Sequence, residues 1–179
     1  VPMVYHSSFN KVAASGQVRE ACSMAILPLK TNYKGVAPRG DPNGPDVIDE
    51  ALDFFKANIF FRNFEPEGSA DRVLIYVTLY ISKCLTKMVN KSKGEAEQQL
   101  YTLAIENFSL PGDKQFPLGG FVTPPKDRGE GDMMRQFLTQ LRQETGARLV
   151  SRVYAKDQVK PDKWWICFVK RKFLQMELV

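Results

Sequence analysis

The chain has 179 residues, 44% of them hydrophobic and 25% charged, which is typical of one globular domain and excludes a disordered or collagen-like chain. His6 is the only histidine, so zinc sites that take two or more histidines from one chain are excluded. The net charge is +5, and residues 126–179, with 12 bases against 7 acids, carry all of it.

Glycine and proline are frequent in the first 45 residues, which leaves room for a short strand at residues 24–29 but for no long helix. We expect this segment to form an irregular N-terminal arm over the rest of the chain. Gly35 and Gly40 have the spacing of a phosphate-binding loop, but Asp41 and Pro42 stand where that loop needs its lysine and hydroxyl. We therefore expect no nucleotide site there.

A first helix is predicted to begin after Asp46, a suitable N-cap. Asp49 and Glu50 place negative charge in the first turn, where the helix dipole favours it. Apolar residues recur at helical spacing and predict one buried face, made by Val47, Ile48, Ala51, Leu52, Phe55, Ile59 and Phe60. The pattern predicts a helix that ends at about Asn63.

The second predicted helix, residues 70–90 with Ser69 as its cap, has no wide polar face. Its apolar residues surround the helix axis and are Val73, Leu74, Ile75, Val77, Leu79, Ile81, Leu85 and Met88. Such a helix is buried on most sides and is predicted to be the central one. Lys83, Lys87 and Lys91 recur every four residues near its end and favour a solvated face over a binding site.

Residues 95–107 are predicted to form a third, shorter helix, and residues 110–131 a long irregular loop rich in glycine and proline. Loops of this length are usually functional or mobile. Four apolar side chains predict that part of the loop is held against the core, namely Phe116, Leu118, Phe121 and Val122.

Asp132 is the predicted cap of a fourth helix, which Gly146 is predicted to interrupt. Residues 148–154 either continue this helix or form an extended segment, and helical spacing fits them slightly better. Pro161 and Asp162 open the last segment, from Lys163 to about Leu178. No repeat or break divides the chain, so we expect residues 1–179 to form a single domain.

The last segment contains an aromatic cluster that runs from Trp164 into the bases Lys170, Arg171 and Lys172 and ends at Phe173. Aromatic and basic residues together stack on single-stranded nucleic acid, but they also anchor protein interfaces. We expect Trp164 or Trp165 to be a core residue and the bases to form its rim. The basic C-terminal half suits nucleic acid, an anionic membrane or an acidic protein, and basic side chains that are merely solvated are an equally open alternative.

His6 precedes Ser7 and Ser8, which together would supply the base and hydroxyl of a nucleophilic site. Neighbours in sequence do not aim their side chains at each other, so structural hydrogen bonds are the preferred interpretation. The paired acids of the chain lie at helix starts or in turns, where capping explains them. We therefore predict no catalytic residue, no cofactor site and no metal site.

The three cysteines, Cys22, Cys84 and Cys167, are far apart and lack the spacing of a zinc ribbon or a disulfide framework. Free thiols fit a reducing cytosol. The first residues do not have the pattern of a signal peptide, and the longest apolar run, Val73 to Ile81, is shorter than the roughly 20 residues of a membrane-spanning helix. We expect a cytoplasmic protein that does not insert into membranes.

Long and unusual strings of residues across almost the whole chain resemble subunit 3, the 21 kDa subunit, of the actin-related protein 2/3 complex. The resemblance is carried by Tyr5-His6-Ser7-Ser8, Asp49-Glu50-Ala51, Phe55-Lys56-Ala57-Asn58, Ala70-Asp71-Arg72, Thr78-Leu79-Tyr80-Ile81-Ser82, Leu141-Arg142-Gln143-Glu144-Thr145-Gly146 and Lys163-Trp164-Trp165. Differences fall where loops tolerate them, at residues 1–4, 10–21, 39–45 and 123–131.

This resemblance implies an all-α fold of about five helices with the central helix, residues 70–90, surrounded by the others. It implies a non-catalytic subunit that docks on actin-related protein 3 within a seven-subunit complex, lies close to the mother actin filament and binds no nucleic acid. We expect its protein interface to include Tyr5, His6, Lys83, Lys87, Trp164, Trp165, Lys170, Arg171 and Lys172. The alternative function is a basic module that binds single-stranded nucleic acid through residues 164–173.

Overall fold

The N-terminal arm, which precedes Asp46, is irregular, as its glycines and prolines predict. In the computed structural model, which describes residues 3–179, the arm contains helix α1 (Asn10–Ala14) and strands β1 (Glu20–Ala21) and β2 (Met24–Ala25). The two strands pair antiparallel. The predicted strand at residues 24–29 is therefore only two residues long, and the all-α prediction is wrong to the extent of this small sheet.

Helix α2 spans Val47–Asn58 and begins as predicted, because Asp46 and Asp49 form a reciprocal capping box. It ends five residues before the predicted Asn63. The side chain of Asn58 binds the backbone of the arm, and the chain then turns so that Phe64 becomes buried. The Phe64 ring lies 4.8 Å from His6 and 6.1 Å from Phe173, which joins the arm to the C-terminal segment.

Helix α3 spans Ser69–Thr86, and 14 of its 18 residues are buried. It packs against α1, α2, β2 and the fourth long helix, which confirms the predicted central position. The helix starts at Ser69 with Gly68 as the N-cap, since the Ser69 hydroxyl donates instead to Glu20 at 2.8 Å. It ends at Thr86, short of residue 90, and Asn90 then adopts a φ of 57° in the following turn.

Helix α4 spans Lys93–Ile105 and lies against α5, which spans Arg128–Val153. Asp127 caps α5, so the predicted start at Asp132 is wrong by one turn. Gly146 does not interrupt α5. The glycine faces α4, and a Cβ at that position would make an ordinary van der Waals contact with the Leu100 side chain, at 3.5 Å. The helical alternative for residues 148–154 is confirmed as far as Val153.

The loop between α4 and α5 is irregular apart from one 3₁₀ turn, Gly119–Phe121. Phe116, Leu118 and Val122 are buried, as predicted, whereas Phe121 is exposed. One connected hydrophobic cluster extends from Ala13 to Leu178 and includes side chains of this loop.

The last predicted segment, from Lys163 to about Leu178, is helical only at its start, where α6 spans Lys163–Ile166. Turns and a 3₁₀ segment, Phe173–Gln175, follow it. The irregular path buries four apolar side chains that one straight helix would distribute over different faces, namely Trp165, Phe173, Leu174 and Leu178. Residues 163–179 form the C-terminal segment.

Candidate protein-interaction surface

Two buried carboxylates hold the N-terminal arm against α2 and α3. Glu50 accepts hydrogen bonds from the Ser7 hydroxyl at 2.7 Å and from the backbone N–H and hydroxyl of Ser8 at 2.8 Å each. Asp71 accepts from the Ser7 backbone N–H at 2.7 Å and pairs with His6 Nδ1 at 2.6 Å. Both hydroxyls are thus committed to Glu50, and His6 makes the structural hydrogen bonds that the sequence predicts.

This anchoring fixes the position of Tyr5. Its backbone exchanges hydrogen bonds with the Asn58 side chain at 2.9 and 3.1 Å, and its ring stacks on Phe54 with the centroids 5.1 Å apart. The Tyr5 side chain is nevertheless 52% exposed. An aromatic ring held on a rigid backbone and open to solvent is well suited to anchor a protein partner.

Tyr5 borders an exposed hollow beside the end of α2, of about 580 Å³, which we name the aromatic patch. Its lining residues are Met3, Tyr5, Ala57, Phe60, Phe61 and Arg62. Phe60 is 56% exposed, so its prediction as a core residue is wrong. Helix α2 ends at Asn58, before both residues. The turn that follows buries Ile59 and exposes Phe60. The sequence did hold a sign that one of these side chains is exposed. Residues 59–61 are three consecutive apolar residues, and one helix face cannot bury all of them.

The C-terminal segment packs onto the same end of α2. Trp165 is buried, stacks on Phe55 at 5.9 Å and lies under the Lys56 ammonium group at 4.4 Å. Phe168 makes edge contacts with Phe55 at 6.0 Å and with Phe60 at 5.8 Å. Trp165 is therefore the core tryptophan of the predicted pair, and Trp164 is 60% exposed.

A second hollow, of about 290 Å³, lies between the end of α3 and the C-terminal segment, and we name it the basic groove. Lys83 on α3 lines it together with Lys170, Arg171 and Lys172. Glu177 is the one acid among the described residues that line the groove, and it lies 3.4 Å from Lys172 Nζ. The excess of cations makes the groove complementary to an acidic surface.

Arg171 joins the two hollows into one aromatic–basic surface. Its guanidinium lies 5.0 Å from the centroid of the Phe60 ring, while its side chain also lines the basic groove. The structure thus brings together Tyr5, Lys83, Lys170, Arg171 and Lys172 from the predicted set. His6 and Trp165 lie beneath this surface and support it, whereas Lys87 and Trp164 are exposed outside both hollows.

Other polar clusters of the chain are structural. Arg148 donates to Asp46 at 2.6 Å and to the backbone carbonyl of Lys30 at 2.7 Å, which fastens the start of α2 and the arm to α5. Burial and the Glu130 carboxylate raise the pKa of the Cys22 thiol to about 11, and burial raises that of Cys84 to about 12. Both thiols are therefore protonated at neutral pH and are poor nucleophiles.

No helix within residues 3–179 combines the length and the apolarity that crossing a lipid bilayer demands. The geometry defines a class, that of mostly helical proteins with an exposed aromatic and basic surface. The match to known families is more specific, since residues 2–178 match the family P21-Arc, the ARP2/3 complex ARPC3 (21 kDa) subunit. The chain belongs to this family, which confirms the resemblance inferred from the sequence.

Relatives named actin-related protein 2/3 complex subunit 3 are similar over nearly the whole chain. The protein of Dictyostelium discoideum is 58% identical over 176 residues, which cover 98% of this chain and 100% of the relative. The protein of Schizosaccharomyces pombe is 47% identical over 174 residues, covering 97% and 98%. That of Saccharomyces cerevisiae is 39% identical over 178 residues, also covering 97% and 98%.

Proposed function

We propose that this chain is a single-domain, non-catalytic structural subunit of the actin-related protein 2/3 complex, acting in the cytoplasm in the nucleation of branched actin filaments. The observation that carries the proposal is the family match over residues 2–178. The relatives' shared name as complex subunits supports it, as does the near-complete coverage of both chains in each comparison.

Within the complex, we assign the aromatic patch and Arg171 to docking on actin-related protein 3. Tyrosine and arginine dominate the binding energy of protein interfaces, and here Tyr5 and Arg171 are both held in place by aromatic neighbours. We assign the basic groove to the mother filament. Actin filaments are acidic, and the exposed Lys170 together with the partly buried Lys83 offers positive charge that increases the rate of association with such a surface.

Co-purification tests the subunit assignment. The endogenous protein, captured from cytosol under native conditions, is expected to elute with six other chains in fixed stoichiometry, and native mass measurement of the assembly gives that stoichiometry. Recovery of the protein as a lone 20.3 kDa monomer under the same conditions contradicts the proposal.

Two substitutions test the aromatic patch. Tyr5→Ala and Phe60→Ala remove exposed rings, so the chain is expected to fold while its incorporation into the complex falls at least tenfold. Tyr101→Ala is the matched control, because it removes a ring that is 64% exposed on α4. Equal incorporation of the parent and both patch variants shows that the patch is not the docking surface.

Charge reversal tests the basic groove. Lys170→Glu is expected to lower branch formation by reconstituted complexes, more strongly at low salt, because the interaction with an acidic filament is electrostatic. Lys160→Glu makes the same charge change at an exposed position in the loop before α6 and serves as the control. If the two variants branch filaments equally well, the groove is only solvated surface.

The exposed Trp164, with the Lys163 ammonium 5.3 Å from its ring, favours the second candidate, a module for single-stranded nucleic acid. That function requires binding to a labelled oligonucleotide that weakens steeply with salt and weakens further in Trp164→Ala. We expect no such binding. Salt-dependent binding that is lost in Trp164→Ala would establish the alternative.

A further inference from the structure

His6 lies between two carboxylates that differ in their surroundings. Its Nδ1 is 2.6 Å from Asp71 Oδ2, and its Nε2 is 3.4 Å from Glu67 Oε1. Asp71 is fully buried and also accepts hydrogen bonds from the backbone N–H groups of Ser7 and Glu67, so it acts as an acceptor toward His6 as well. Nδ1 therefore carries a hydrogen, and Nε2, which can bind a metal when it is unprotonated, faces Glu67.

This arrangement is that of a metal-binding histidine. Histidine ligands generally donate their second ring N–H to a carboxylate, which fixes the tautomer and orients the ring toward the metal. A tetrahedral zinc ion, with metal–ligand distances of about 2.0 to 2.2 Å, holds two ligand atoms about 3.4 Å apart. The separation of His6 Nε2 and Glu67 Oε1 in the structure is 3.4 Å.

The contact between His6 and Glu67 is open to solvent. The side chain of Glu67 is 65% exposed and that of His6 is 22% exposed, so water reaches the space between them. The Phe64 ring packs edge-on against the imidazole at 4.8 Å and holds it in place. The sequence excluded sites that need two histidines, but a site with one histidine and a carboxylate lies outside that exclusion.

We propose that His6 Nε2 and Glu67 Oε1 bind a divalent transition-metal ion of the zinc class, with water as the remaining ligands and Asp71 as the residue that positions the imidazole. The bound ion would tie the N-terminal arm to the start of α3 and so restrain Tyr5. A proton on Nε2 would also account for the contact with Glu67. The experiment therefore has to distinguish a bound metal ion from a proton on Nε2.

Nuclear magnetic resonance of the imidazole separates them, because His6 is the only histidine and its ring signals need no assignment. The full-length chain carries Cys167→Ser throughout, since the exposed Cys167 thiol is itself a zinc ligand. Zinc ions are added at pH 8, where an ordinary imidazole is neutral. Affinities come from competition with a chromophoric chelator.

Before zinc is added, Nδ1 is expected to carry the hydrogen. Zinc is expected to shift the ¹⁵N resonance of Nε2, with saturation at one equivalent. Glu67→Gln is expected to weaken the affinity at least tenfold, whereas Glu65→Gln, a neighbouring exposed carboxylate, retains it. Three results overturn the proposal: a hydrogen on Nε2 and not on Nδ1, a His6 ring unaffected by excess zinc, or equal affinities in the Glu67 and Glu65 variants.

Discussion

Arg142 on α5 donates from Nη2 to the backbone carbonyl of Leu103 at 2.5 Å, so one side chain caps the C-terminal end of a neighbouring helix. Its Nε also donates to the carbonyl of Ala104 at 3.3 Å. The guanidinium is buried between the rings of Tyr80 and Phe108, 4.7 and 4.4 Å from their centroids. The negative end of the α4 dipole and the two ring faces thus stabilise a buried positive charge.

Replacing Arg142 with lysine should lower the free energy of unfolding by about 2 to 3 kcal/mol, because an ammonium group can neither stack flat between two rings nor reach both carbonyls. Urea denaturation of the isolated chain measures the change. Arg128→Lys, at an exposed position in the first turn of α5, is the control and should stay within about 0.5 kcal/mol of the parent. Equal losses in both variants would show that the buried geometry is unimportant.

The two adjacent tryptophans should differ sharply in their effect on stability. Trp165→Ala removes a buried ring stacked on Phe55 and should lower the free energy of unfolding by about 3 to 5 kcal/mol. Trp164→Ala removes a ring that is 60% exposed and should change it by less than about 0.5 kcal/mol. Thermal and urea unfolding measure both variants, and similar losses would contradict the assignment of Trp165 to the core.

The hairpin loop between β1 and β2 is strained, since Cys22 and Ser23 have φ values of 53° and 65°. Ser23→Gly removes the strain at the second position and should raise the free energy of unfolding by about 0.5 kcal/mol. Both substitutions lose the contact of the Ser23 hydroxyl with Thr123 at 3.1 Å, but Ser23→Ala also keeps the strain, so it should lower that free energy. Urea denaturation that ranks alanine above glycine contradicts this prediction.

Acid should destabilise the chain partly through Asp49. Burial raises the pKa of Asp49. Hydrogen bonds from Lys30 and from the Asp46 backbone, together with the Arg148 charge, lower it by a larger amount, so this pKa lies below its usual value. On acidification the Asp49 carboxylate is protonated in the unfolded chain at a higher pH than in the folded chain. The contribution to stability is therefore complete above about pH 4 and is lost as the pH falls through the folded pKa.

Asp49→Asn should accordingly flatten the dependence of unfolding free energy on pH below about pH 4. It should also lower stability near neutral pH, because Lys30 Nζ, 2.6 Å from the carboxylate, loses its charged partner. Urea denaturation between pH 6 and pH 3 measures both effects. Parallel curves for the parent and the variant would show that Asp49 contributes nothing to acid sensitivity.

Local sequence rules predicted the features that depend on one element. The capping acid Asp46 and the buried circumference of α3 were correct, because capping and hydrophobic periodicity act within a few turns. The break predicted at Gly146 was wrong, and the irregular path of the C-terminal segment was not predicted. The glycine lies inside a long helix because the packing of α5 against α4 and α3 outweighs the roughly 1 kcal/mol that one glycine costs a helix. Residues 163–179 leave the helical path because their apolar side chains pack into separate sites.

The basic members of the candidate surface were predictable, but its geometry was not. Lys83 and Lys170 were both selected from the sequence, yet only the irregular path of the C-terminal segment brings them to one groove. Phe60 was missed as an exposed residue, because its spacing continues the pattern of α2 beyond the point where Asn58 ends the helix. Such juxtapositions depend on tertiary contacts, which local patterns do not contain.

The Phe64 ring, which contacts His6 on one side and Phe173 on the other, has a consequence for biosynthesis. A nascent chain on the ribosome presents the arm and α2 long before Phe173 leaves the exit tunnel. Until then one side of Phe64 is uncovered, and the aromatic–basic surface lacks Arg171 and its neighbours. We therefore expect the aromatic–basic surface to be incomplete until residues 163–179 have left the tunnel, and a chain truncated before Phe173 to leave one side of the Phe64 ring uncovered.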